Sequence, residues 1–117
     1  MPCWHLPAIE FACERGSAIE ASLGEGVIMR TCSWEKSSGN FIRVGPLQLV
    51  KNGVLILQLQ TDENGQLHGP YNAWDDNGLL IESGSYEDGR KEGKWLVADG
   101  DGRLGTLYFR AGKPLGL

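Results

Sequence analysis

Glycine-marked turns recur at a near-constant interval along the second half of this chain, and that interval decides what the chain can fold into. Gly45-Pro46-Leu47, Gly69-Pro70-Tyr71 and Gly93-Lys94-Trp95 are spaced by 24 and 24 residues, with Gly116-Leu117 as a further start. A second series interleaves with the first. Asn52-Gly53, Asn77-Gly78 and Asp101-Gly102 recur at 25 and 24, and Asn64-Gly65, Asp88-Gly89 and Ala111-Gly112 at 24 and 23. Each unit therefore holds two turns. Asn-Gly and Asp-Gly mark β-hairpins, because a type I′ turn requires positive φ at both central residues. Successive turn glycines from Gly53 to Gly112 lie 10 to 13 residues apart, too close for a βαβ crossover. The expectation is an antiparallel meander with strands near 46–51, 54–61, 67–74, 79–86, 93–98 and 103–110.

Two glycines fall inside these predicted strands. Gly84 and Gly105 occupy positions where a strand resists glycine unless a neighbouring backbone or ring comes close. Tyr71, Trp74, Tyr86, Trp95, Tyr108 and Phe109 supply rings. Aromatics recurring at the repeat period stack between units as a hydrophobic spine, which makes Tyr86 and Trp95 structural. Trp74, beside Asp75-Asp76, is the one expected to be exposed.

The stretch Gly84-Ser85-Tyr86-Glu87-Asp88-Gly89-Arg90-Lys91-Glu92-Gly93-Lys94-Trp95 resembles a MORN repeat, whose pattern is G-x-Y-x-x-G-x-x-x-G-x-aromatic. The upstream copy keeps Gly65, Gly69 and Tyr71 but has Gln60 and Asp62 where the pattern wants glycine and an aromatic. The last copy keeps Phe109, Gly112 and Gly116. The period and the turn sequences are similar to a bacterial MORN variant associated with antitoxins of toxin–antitoxin systems. That resemblance implies hairpin repeats over residues 45–117 and a protein that neutralises a toxin by binding it. It also implies a packing or turn role for His68, which stands just before the repeat glycine.

The 117 residues suffice for one folded unit. No stretch approaches the ~20 apolar residues of a membrane span. The opening Met1-Pro2-Cys3-Trp4-His5 has neither a basic leader nor an apolar signal core, so the expected location is cytoplasmic. Cys3, Cys13 and Cys32 lack the C-x-x-C spacing of zinc and redox sites. Three reduced thiols are expected in such a compartment, with a Cys13–Cys32 bridge as the alternative.

Charge is unevenly distributed. Residues 62–101 carry ten acids against Arg90, Lys91 and Lys94, a sum of −7, whereas residues 1–61 balance and the last 16 are +3. Such a segment repels phosphates and suits a basic protein partner. Aspartates also favour turns, where the carboxylate bonds nearby backbone, so part of this charge has a local explanation. Trp74, Asp75, Asp76, Glu82, Glu87 and Asp88 are the candidate partner-binding residues, the tryptophan as anchor and the acids as steering charge.

Motifs for chemistry fail on context. Gly100-Asp101-Gly102-Arg103-Leu104-Gly105 matches G-x-G-x-x-G but leads into a strand, not a helix. Asp99-Gly100-Asp101 starts like a calcium loop, yet Arg103 and Arg110 stand where that loop needs ligands. No G-x-S-x-G, H-E-x-x-H or P-loop occurs. The expectation is no catalytic residue, no metal and no cofactor.

Residues 1–44 do not repeat. Ala18–Leu23 reads as a short helical turn and Val27–Trp34 as a strand, and the segment is expected to pack on the sheet as an N-terminal cap. The whole is a mostly β protein, residues 1–44 capping an array at 45–117. The function expected is non-catalytic inhibition, as an antitoxin or immunity-type protein, of a basic or nucleic-acid-processing partner, without direct nucleic-acid or membrane binding. Alternatives are a phage- or mobile-element-encoded inhibitor of a host defence nuclease and a structural or membrane-associated scaffold.

Overall fold

A computed structural model describes residues 11–115 and has no helix among them. The described residues form one sheet of nine antiparallel strands whose spatial order is their sequence order. They are β1 (Ser17–Gly24), β2 (Val27–Glu35), β3 (Phe41–Lys51), β4 (Val54–Thr61), β5 (Gly69–Trp74), β6 (Leu80–Glu87), β7 (Arg90–Ala98), β8 (Leu104–Arg110) and β9 (Lys113–Pro114). The predicted meander is the observed one. Its boundaries shift locally: β7 begins at Arg90 rather than 93, because the preceding turn spends only Asp88 and Gly89.

The N-terminal part departs from expectation. Ala18–Leu23 is not a helical turn but lies within β1, which pairs with β2 through Ala18–Cys32, Glu20–Arg30 and Ser22–Ile28. Residues 17–44 extend the sheet edge-on instead of covering its face, and β3 runs through the division at 44/45. The cause is the Glu25-Gly26 turn, with φ of 54° and 80°, which folds β1 back onto β2 as a two-residue hairpin. Cys13 is bridged to Cys32, with Cα atoms 5.8 Å apart, so the reduced-thiol reading is replaced by its alternative for this pair. A loop of this size contributes about 3 kcal/mol through the unfolded chain. Cys3, His5 and the Gly116-Leu117 repeat start lie outside the described residues.

The turns fall into two chemical classes where the sequence reading had one. Asn52-Gly53, Asp88-Gly89 and Ala111-Gly112, like Glu25-Gly26, have positive φ at both residues and are type I′. At Asn64-Gly65, Asn77-Gly78 and Asp101-Gly102 only the glycine has positive φ. These latter turns start at Asp62, Asp75 and Asp99. Each aspartate Oδ1 accepts bonds from the backbone N–H groups two and four residues on, at 2.8–3.0 Å. The preceding Asp is the distinguishing signal, since D-x-[ND]-G supplies an acceptor that holds a longer loop.

Register explains the glycine–aromatic pattern. Gly69 lies opposite Tyr86, Tyr71 opposite Gly84, and Gly93 opposite Phe109. A ring on one strand thus leans over a strand that offers no side chain. Trp95 is fully buried, and its indole lies so close to Gly84 that an added Cβ would stand 2.1 Å from Cδ2. Tyr71, Tyr86 and Phe109 surround it, with centroids at 5.6, 5.1 and 6.2 Å from the indole. Trp95 Nε1 donates to Ser85 O at 3.0 Å, which satisfies its one polar group. Tyr108 is not part of this spine: strand alternation turns it away from Phe109's face and leaves it 52% exposed. Gly105 has no ring against it, its nearest approach being Val97 O at 3.9 Å.

Two substitutions test this account by urea unfolding. Gly84→Ala is expected to cost about 3 kcal/mol by driving a methyl into the indole, and a loss below about 1 kcal/mol would contradict the packing. Ala111→Asn, at a φ of 51°, is expected to stabilise by about 0.5–1 kcal/mol because asparagine tolerates the left-handed region better than alanine.

Candidate binding surface

A meander sends alternate turns to opposite ends, separated by strands of six to nine residues through the repeat array, from β5 to β7. At ~3.3 Å per residue that is on the order of 20–30 Å. One end carries the turns after β1, β3, β5 and β7; the other carries those after β2, β4, β6 and β8. The six predicted binding residues are divided by this geometry. Trp74, Asp75 and Asp76 sit at the first end, Glu87 and Asp88 at the second, and Glu82 lies within β6 between them.

Their engagement differs as well. Trp74 is half-buried rather than fully exposed. Asp75 holds its own turn through Asn77 N and Leu79 N. Asp76 pairs with Lys51 Nζ at 3.0 Å, joining neighbouring turns. Glu82 pairs with Lys91 Nζ at 2.8 Å on the aromatic face. Glu87 and Asp88 are exposed, and neither forms an ion pair among the described residues. The acidic segment is therefore not one patch. Close to Asp88 opens a cleft of about 490 Å³ where Glu87 and Glu92 stand with Arg90 and Arg110, so Arg110 of the basic C-terminal stretch is folded in among the acids beside Arg90.

Two groupings were not legible in the sequence. The first is Lys91, whose Nζ lies 4.5 Å from the Trp95 ring centre and 5.2 Å from that of Phe109 while paired to Glu82. A cation held between a carboxylate and two ring faces closes the spine on that side. The position two residues before the repeat glycine holds Arg43, Leu67 and Lys91 in turn, so no periodic signal marked it. The second is Asp62, His68 and Asp88, which offer one donor atom each within 4.8 Å of one another, Asp62 half-buried and the other two exposed. No spacing rule connects them, because the turn after β6 folds back against the segment joining β4 to β5 through Gly89 N–H to Leu67 O, at 2.9 Å.

Tyr71 sits beside Glu82 and Tyr86 in the spine, and its pKa is raised, first by burial and then by the charge of Glu82 and by Tyr86. No family model, curated protein or solved structure matches the chain. No helix among the described residues is long and apolar enough to cross a membrane.

The Tyr71 shift makes a pH prediction. A raised folded-state pKa means that the folded protein holds the proton more tightly than the unfolded chain. Its contribution is complete below the ordinary tyrosine value near 10 and is lost as pH rises through the folded value. Melting curves between about pH 9 and 11 are expected to fall more steeply for the wild type than for Tyr71→Phe. Parallel curves would remove Tyr71 from the account.

Proposed function

We propose that this chain is a non-catalytic protein-binding module of the MORN type, acting as an antitoxin- or immunity-type inhibitor of a basic partner protein. The observation that carries the reading is the separation of roles between strands and turns. Glycine–aromatic pairs occupy the strands and hold the sheet together, while most acids of residues 62–101 stand on turns that a partner can reach. The alternation of glycine and ring across β5, β6, β7 and β8 is the arrangement the MORN resemblance implies, which supports the family reading.

Within that reading the contact surface centres on Glu87 and Asp88 at the turn after β6, where the carboxylates are exposed and unpaired by cations among the described residues. Asp75 and Glu82 act in the fold, and Asp76 is partly neutralised by Lys51. A basic surface, as on a protein that processes nucleic acid, is steered by such a turn at a rate that salt screens. The Cys13–Cys32 bridge bears on location: a bridge persists in oxidising compartments and is rare in the cytosol. It favours an immunity-type role outside the reducing cytoplasm over the cytoplasmic antitoxin.

Capture of the partner from the source organism, followed by titration with the purified pair, tests the proposal. Glu87→Lys is expected to weaken binding at least tenfold and to flatten its dependence on ionic strength, with no change in melting temperature. Equal affinity of wild type and Glu87→Lys would discard this surface, and turnover of a substrate by the purified chain would discard the inhibitor reading.

A further inference from the structure

We propose that Asp62, His68 and Asp88 form a binding site for a zinc-type divalent cation that clamps the β4–β5 connection to the β6–β7 turn. The donor set is two carboxylate oxygens and one imidazole nitrogen, drawn from three separate points of the chain and brought within 4.8 Å of one another. Imidazole with carboxylate suits Zn²⁺ and its transition-metal neighbours, and disfavours Ca²⁺ and Mg²⁺, which take oxygen ligands. Three protein ligands leave a position for water, as in other zinc sites with an open vertex.

The backbone already holds the three residues in register. Asp62 Oδ1 accepts from Asn64 N and Gln66 N at 2.9 and 3.0 Å. Among the described residues Oδ2 makes no such bond. His68 N donates to Gln60 O at 3.0 Å, and Gly89 N donates to Leu67 O at 2.9 Å, which anchors the Asp88 turn one residue from His68. Ligands at ~2.1 Å in a tetrahedron are ~3.4 Å apart, so closure needs each donor to move by about an ångström. The side chains of His68 and Asp88 are exposed and free to rotate by that amount.

The repeat supplies a comparison. One unit later, Glu92 stands before Gly93 as His68 stands before Gly69, and Ala111 occupies the turn position of Asp88. There Glu92 Oε2 accepts from Ala111 N at 2.7 Å, a structural latch. The His68 imidazole makes no hydrogen bond or ion pair among the described residues. The latch has been replaced by two groups that ligate metals, with Asp62 alongside as a third.

The site also lies beside a sparsely paired junction of the sheet. Strands β4 and β5 are paired through Leu57–Ala73 and Gln58–Asn72, with one isolated bridge at Thr61–Leu67. A cation bound to Asp62, His68 and Asp88 ties the end of β4 to the β6–β7 turn across β5, and so reinforces that junction.

Calorimetric titration of the full chain with Zn²⁺ and its melting temperature with and without the ion test the proposal. The expected result is one Zn²⁺ per chain and a rise in melting temperature of roughly 10 °C at a hundredfold excess over Kd. Hydrogen exchange in β4 and β5 is expected to slow. His68→Ala and Asp88→Asn are each expected to weaken the affinity at least tenfold, and asparagine keeps the turn residue compatible with positive φ. Cys3→Ser/His5→Ala is expected to leave the affinity unchanged. Absence of Zn²⁺ binding, equal binding by Asp88→Asn and His68→Ala, loss of binding in Cys3→Ser/His5→Ala, or an equal shift with Ca²⁺ would each overturn it. The partner test rests on Glu87, outside this donor set, so the two proposals fail separately.

Discussion

The indole of Trp95 lying against the bare backbone of Gly84 is the contact on which the rest of the array depends. A single sheet has no second layer to bury its faces, and apolar side chains standing perpendicular to it are left half in water. Here the solution is to lay rings along the sheet, over strands that present glycine. Gly69, Gly84 and Gly93 each face an aromatic on the adjacent strand, and the three rings around Trp95 stand 5.1–6.2 Å from it. Glycine is costly in a strand by itself. Opposite a ring it becomes the complementary shape.

From that contact follows the way the hairpins are linked. Lys91 covers the open side of the indole, and its ammonium is held by Glu82 from the preceding strand. Backbone bonds from turn glycines to the neighbouring segments, Gly89 to Leu67 and Gly112 to Lys91, then bind each hairpin to the one before it. These bonds bring residues about twenty positions apart into contact at the turn ends. The Asp62, His68 and Asp88 cluster is a consequence of this folding back, as is the mixing of Arg90 and Arg110 with Glu87 and Glu92.

At the other end of the sheet the aromatic device is missing, and a different one holds β1 to β3. Cys32 is buried and bridged to Cys13, while Glu20 pairs with Arg30 across the first hairpin. Lys51 reaches Asp76 from the β3–β4 turn to the β5–β6 turn, which joins this region to the repeats. The chain thus adds a covalent staple beside β2 and β3, which hold the buried residues Thr31, Cys32, Gln48 and Val50, as small β proteins with few buried apolar residues commonly do.

Read from residues alone, the repeat period and its turn dipeptides determined the strand order, the antiparallel pairing and the structural standing of Tyr86, Trp95 and Gly84. Those features are local or strictly periodic, and a short turn leaves adjacent strands no choice of partner. Tertiary structure decided what depends on contacts between distant positions. It divided Trp74, Asp75 and Asp76 from Glu87 and Asp88 by a strand's length, made a strand of Ala18–Leu23 and joined Cys13 to Cys32. It also brought His68 to two aspartates. The physical reason is that period-two alternation and turn chemistry specify which neighbour a strand takes. Which end of the sheet a charge occupies, and what meets it there, is set only once all the strands are laid side by side.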